Sequence, residues 1–203
     1  IIQIWQGGIG LWGGILGGFL GGAAYALWAK HPVGAIADLT APAMLFVQSI
    51  GRVGDFVNGE HCAGRSDAFG FVWTNPASDA RACENGVGIA VHPVIFYEVM
   101  WNMIALAIIW KPRGRLRPDG MLFALYLVLY SIGRFGIQFL RQDEVKVASL
   151  QEAHFIALIV LAITIPLLIW KARPRSEADM ILEGSAPPPR QRGTRAERRR
   201  RPR

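Results

Sequence analysis

Metal-ligand clusters, phosphate-cradling glycine loops and Ser/His/Asp sets are all missing from this 203-residue chain. Their absence argues against metalloenzyme, nucleotide-dependent and serine-hydrolase chemistry, and no cofactor is called for. Cysteine is scarce, with only Cys62 and Cys83 present, and two thiols beside a lone His61 fall short of the roughly four ligands a structural zinc takes. Net charge is also missing from most of the chain. Residues 1–170 hold 11 basic and 11 acidic side chains, so the overall +7 belongs to Lys171–Arg203, with 11 Lys/Arg against 4 Asp/Glu. That segment, with Pro187-Pro188-Pro189 and the run Arg198 to Arg201, is too polar and proline-rich to bury a core and is expected to be disordered. A nucleic-acid partner explains it poorly; a role in holding the chain end in the cytoplasm, beside anionic headgroups, explains it better. The expected division is therefore a membrane-embedded domain over 1–170 and a basic tail over 171–203. The chain opens at Ile1 without Met or signal peptide, directly in a hydrophobic glycine-rich stretch, and is expected to be a piece of a longer protein.

What is present is apolar surface. Just over half the residues are hydrophobic (52%), which places the chain among membrane proteins. The expected fold is all-α, a polytopic transmembrane helical bundle with a periplasmic loop. Candidate spans cover about Ile9–Ala29, Ile36–Val57, Val94–Trp110, Met121–Leu140 and Phe155–Trp170, set against the roughly 20 residues that cross a hydrocarbon core. The first carries Gly13-Gly14, Gly17-Gly18 and Gly21-Gly22, the spacing of a helix-packing face. The second contains Pro42 and runs into charged residues, so a bent or half-inserted helix is expected there. Pro166 is expected to kink the last. The basic loop Lys111–Arg117 and the tail both belong inside under the positive-inside rule, which puts 61–92 and 142–153 outside. The two cysteines, Cys62 and Cys83, share that outer loop, where a disulfide is expected in preference to a pair of free thiols. Trp5, Trp28, Trp110 and Trp170 read as interfacial anchors, and His31 and His154 as interfacial histidines.

Three ordered motifs interrupt the apolar background. Gly51-Arg52-Val53-Gly54-Asp55-Phe56-Val57-Asn58-Gly59-Glu60 puts charges at the end of a span; His92-Pro93 with Tyr97-Glu98 opens another; Tyr130, Arg134, Gln138 and Arg141 lie inside a third. The last three stand at i, i+4 and i+7, one helical face. Charged groups in a bilayer cost about 2.5–3.5 kcal/mol on insertion scales, so they face protein or a polar cavity and mark function. With the topology above, all three motifs approach the same leaflet. On the residues alone, a lipid-directed site and a structural network of buried ion pairs, with Arg52 on Glu60 or Asp55 on Arg134, stand level.

Together these motifs, spread over roughly residues 3–141, resemble the prolipoprotein diacylglyceryl transferases. The resemblance implies a bacterial inner-membrane enzyme, multi-pass with its C-terminus cytoplasmic. Such an enzyme transfers the diacylglyceryl group of phosphatidylglycerol to the lipobox cysteine of a prolipoprotein signal peptide and releases glycerol phosphate. Its partners would be those two substrates and membrane lipids, with no nucleic acid. The resemblance makes Arg52, Arg134, His92 and Glu60 candidates for the chemistry, and Arg52, Asp55, Asn58, Gly64, Tyr130, Gln138 and Arg141 candidates for substrate binding. Arginine suits a phosphodiester because its planar fork matches phosphate and stays charged, and histidine is the side chain tuned to take a thiol proton near neutral pH. The chain departs from the family at Asp55, where asparagine is common, at Ala63, an insertion before Gly64, at Gln138, where a carboxylate is usual, and at Trp12, where many members have histidine. The competing reading is a non-enzymatic transporter subunit or scaffold whose arginines bind an anionic lipid or solute.

Overall fold

The computed structural model describes residues 11–59, 62–142, 145–147, 150–176 and 179. Five helices dominate: α1 (Leu11–Trp28), α2 (Val33–Asn58), α3 (Val94–Trp110), α4 (Met121–Gln138) and α5 (Glu152–Lys171). Three of them, α2, α4 and α5, are long and apolar enough to cross a membrane, and α3 is a shorter apolar helix of 17 residues. The strands are no more than three residues long, so the architecture is helical.

Helix boundaries follow local chemistry. Pro32 stands in extended conformation immediately before α2, where a missing N–H costs nothing. At the other end Gly59 adopts φ 71° and returns its N–H to Asp55 O and Phe56 O, the left-handed stop that glycine makes cheaply. The helix is continuous through Pro42, a single 26-residue element that reaches about 39 Å. Asp38 ties α2 to α4: its carboxylate accepts from Gly120 N at 2.8 Å and Phe123 N at 2.9 Å, satisfying backbone donors at the α4 N-terminus.

The bundle core lies among α2, α3 and α4, where Ala41, Leu45, Ala105, Ile109, Leu122 and Tyr126 are buried together. Ala41 and Ala105 in this cluster are fully buried, small side chains of the kind that let helix backbones approach. α5 packs along α4. Outward faces remain apolar, with Leu39, Val57, Ile163 and Ile169 exposed, the surface that suits lipid. Trp28, Trp110 and Trp170 are exposed at helix ends. Along the glycine face of α1, a Cβ at Gly17, Gly18, Gly21 or Gly22 would meet no described atom within 4 Å. Trp12 lies in α1, but its side chain, like the residues Trp5, Glu60 and His61, falls outside the described part of the structure.

Between α2 and α3 runs an irregular segment that carries the disulfide Cys62–Cys83, with Cα atoms 5.2 Å apart. Short antiparallel pairings organise it: Phe71 with Val91 and Val72 with Ala90, Arg65 with Val91, and Ala63 with Arg141. Phe56, Phe71, Trp73 and Phe96 form an aromatic cluster with centroids 4.7–5.6 Å apart. The chain divides after Arg173 into a larger unit and Pro174–Arg203. In the second unit, Ser176 N and Oγ both donate to Asp179 Oδ2 at 2.9 Å. The expected disorder of the tail concerns residues that mostly lie outside the described part.

Candidate active site

Three helices deliver charge to one point. Glu98, in the second turn of α3, is 6% exposed and its two oxygens serve different arginines. Oε2 faces Arg52 Nε of α2 at 2.5 Å, and Oε1 accepts from Arg134 Nη1 of α4 at 2.7 Å. Arg141, just past the end of α4, places Nη1 3.9 Å from Oε1. Arg52 also donates through Nη1 to Asp55 Oδ2 at 2.6 Å, one turn along α2. Among these described groups three guanidiniums face two carboxylates, an excess of one positive charge. The side chains of Arg52 and Arg134 keep 21% and 22% of their surface open, so both stay partly accessible.

Of the ion pairs expected from sequence, Arg52 with Glu60 falls on a residue outside the described part of the structure. Arg52 pairs with Asp55 and Glu98, and Arg134 pairs with Glu98. Glu98 belongs to the second of the three motifs, but sequence reasoning gave it no role in the chemistry or in binding. The available signal was electrostatic: several buried arginines need carboxylates, and Glu98 is the acidic residue on α3.

A three-segment ribbon caps the bundle beside this cluster. Gly64 N donates to Leu140 O (2.8 Å), His92 N to Gly64 O (2.9 Å), Gln142 N to Cys62 O (3.0 Å) and Ser66 N to Ala90 O (3.0 Å). Residues 62–66 thus lie between the end of α4 and the approach to α3. This fixes the main chain of His92, whose carbonyl accepts from Val94 N at 2.8 Å. Its ring is 6.4 Å from that of Tyr97, and its Nδ1 is buried without a hydrogen-bond partner among the described residues. A buried unsatisfied ring nitrogen is costly, and it is the group a proton donor would engage. A Cβ at Gly64 would make only ordinary contacts, 3.6 Å from Leu140 O and 3.9 Å from His92 Cδ2.

The remaining predicted residues divide. Tyr130 lies one turn before Arg134, with its ring 6.0 Å from Tyr126; Tyr126 OH in turn accepts from Gln48 Nε2 at 2.9 Å. Asn58 is the exposed last residue of α2. Gln138 is fully buried and donates to Gln151 Oε1. Gln151 then donates through Nε2 to Arg141 O at 2.9 Å and from its backbone to His154 Nδ1 at 3.1 Å. His154 is 1% exposed and packed against Phe135 and Phe139, so it is a buried capping residue at the start of α5. No cluster of three or more potential metal ligands occurs among the described residues.

These features define a multi-pass membrane protein with a buried arginine–carboxylate centre at one end of its bundle. A family model described as prolipoprotein diacylglyceryl transferase matches residues 1–170, and the chain belongs to that family. Relatives named phosphatidylglycerol–prolipoprotein diacylglyceryl transferase include those of Dehalococcoides mccartyi (33% identical, over 86% of this chain and 65% of the relative) and Acaryochloris marina (34%, 84% and 62%). A third is number 1 of that name from Streptomyces coelicolor (32%, 91% and 53%). The chain thus spans just under two thirds of the length of the first of these relatives.

Proposed function

We propose that this chain carries the phosphate-binding and transfer residues of an enzyme that moves the diacylglyceryl group of phosphatidylglycerol to the cysteine of a prolipoprotein signal peptide. The observation that supports this most is the convergence of Arg52, Arg134 and Arg141 on Glu98. A guanidinium has five N–H donors in a rigid fork. It can therefore hold Glu98 with part of the fork and address a phosphodiester with the rest.

In this reaction the peptide thiolate attacks the glycerol carbon that bears the phosphate. A C–S bond forms, the C–O bond breaks with its electron pair passing to the phosphate oxygen, and glycerol phosphate departs. Arg52 and Arg134 meet the charge that builds on the leaving group, in a site where water is scarce and each donor is preoriented. Glu98 keeps the two arginines side by side, and Asp55 fixes the fork of Arg52. His92 takes the thiol proton, Gly64 admits the lipid headgroup close to the ribbon, and Arg141, Tyr130 and Asn58 complete the headgroup surround. Gln138 acts on the site through Gln151 and the backbone of Arg141. Glu60 retains its proposed part in the chemistry as the acid that follows Gly59.

The proposed setting is the bacterial inner membrane, with the ribbon and the 62–92 segment periplasmic and the Lys111–Arg117 loop and C-terminus cytoplasmic. Labelling of a cysteine introduced at Arg113, in a variant lacking the native cysteines, tests this: reaction from the periplasmic face overturns the orientation. The activity itself is tested in phosphatidylglycerol nanodiscs with a lipobox peptide. Release of glycerol phosphate together with a thioether on the peptide supports transfer, whereas lipid binding without either product favours a non-enzymatic anion-binding protein.

A further inference from the structure

The Cys62–Cys83 disulfide closes a circuit that joins three helix ends. At the α2 end, Gly59 O accepts from Ser78 Oγ at 3.1 Å. Ser78 caps the short 3-10 turn Asp79–Ala82 by accepting from Ala80 N, and Cys83 N returns to Ala80 O at 3.0 Å. From Cys83 the disulfide crosses to Cys62, the first residue of the ribbon's middle segment. That segment then grips the end of α4 through Cys62 O and Gly64 N, and the approach to α3 through Gly64 O. Two residues it touches belong to the site: Ala63 pairs with Arg141, and Gly64 with His92. Besides the disulfide, Asn85 Nδ2 reaches Ala63 O at 3.3 Å, the long end of the hydrogen-bond range.

We propose that the Cys62–Cys83 disulfide is a positioning element for the transfer site: it holds the middle segment of the ribbon in register, and through it sets Arg141 against Glu98 and places His92. This rests on the transfer reading above for its consequence in rate, but not for its consequence in structure. The thiols do not touch substrate. Their oxidised state makes the geometry of the site conditional on an oxidising compartment.

The experiment compares oxidised and reduced protein in phosphatidylglycerol nanodiscs. A water-soluble phosphine serves as reductant, because an added thiol would compete with the peptide cysteine. The phosphine takes its oxygen from water to become phosphine oxide and leaves two thiols, which alkylation and mass spectrometry count. Hydrogen exchange is read at the amides of Gly64, His92 and Gln142, with mid-helix amides of α3 and α4 as the reference. Reduction is expected to raise exchange at the three ribbon amides about tenfold or more while the reference amides hold. It is also expected to lower kcat about tenfold, a scale set by the sensitivity of bound geometry to ångström displacements, with a smaller change in KM for the lipid. Reoxidation restores both. A Cys62→Ser/Cys83→Ser protein should behave as the reduced form and ignore phosphine; if it does not fold, reduction of the folded native protein decides alone.

Full reduction with unchanged exchange at the three amides overturns the proposal, as does a fully reduced protein that transfers lipid at the oxidised rate. If the oxidised protein transfers no lipid, the proposed function fails separately, and the exchange measurement judges the disulfide by itself.

Discussion

Trp101 of α3 occupies the space that a side chain at Gly133 of α4 would need. The indole Nε1 donates to Leu129 O at 2.8 Å, and a Cβ built at Gly133 would clash with Cδ1 and Nε1 of the ring. Arg134 is the next residue, so this close approach of α3 and α4 helps set the distance over which Glu98 reaches Arg134. Gly133→Ala is expected to destabilise the bundle by about 1–3 kcal/mol through overpacking and to shift Arg134. Thermal unfolding in nanodiscs checks it, and an unchanged midpoint would show that the two helices separate at little cost.

Glu98→Gln keeps the shape of the central side chain and removes its charge. Taking one partner from a buried ion pair costs about 3–5 kcal/mol, moderated here because Arg52 keeps Asp55. The variant is expected to unfold at lower temperature and, in its folded fraction, to transfer lipid about 100-fold more slowly. Denaturation and single-turnover assays separate the two effects.

Gly64→Ala separates space used by protein from space used by substrate. The new methyl makes only ordinary contacts, so the unfolding temperature should hold. A large rise in KM for phosphatidylglycerol is the expected outcome if the headgroup approaches this glycine. Normal kinetics would remove Gly64 from the substrate surface.

Asp38→Ala serves as a control far along α2 from the charged cluster. It removes two hydrogen bonds to the α4 N-terminus, worth about 0.5–2 kcal/mol as a cap. Lower stability with an unchanged kcat per folded molecule is expected from chemical denaturation and transfer assays.

The parts of this architecture that sequence makes visible are those with local causes. α3 was expected at Val94–Trp110 and lies there, because a predominantly apolar run, interrupted only by Glu98 and Asn102, is bounded by Pro93 and Lys111. The full extent of α2 was not legible, because Pro42 and the charges near its end obscure a helix that runs through both. The pairing of Ala63 with Arg141 and of Arg65 with Val91 left no readable pattern, since isolated bridges have no side-chain period. The arginines stood out by being charged in apolar helices, but their shared partner Glu98 lies 46 residues from Arg52 and 36 from Arg134 in the chain, a relationship only the packed bundle makes. The burial of His154 was hidden for the same reason: it comes from Phe135 on α4 and Phe139 just past its end.

The central claim is that Arg52 and Arg134 use the geometry of the guanidinium fork, and not charge alone, to meet a phosphate. Lysine keeps the charge and loses the fork. Transfer of a labelled diacylglyceryl group from phosphatidylglycerol to a lipobox peptide is measured for Arg52→Lys and Arg134→Lys, with folding verified by thermal unfolding. The account predicts folded proteins whose kcat/KM falls about 100-fold or more; two folded variants that transfer lipid at the unmodified rate would contradict it.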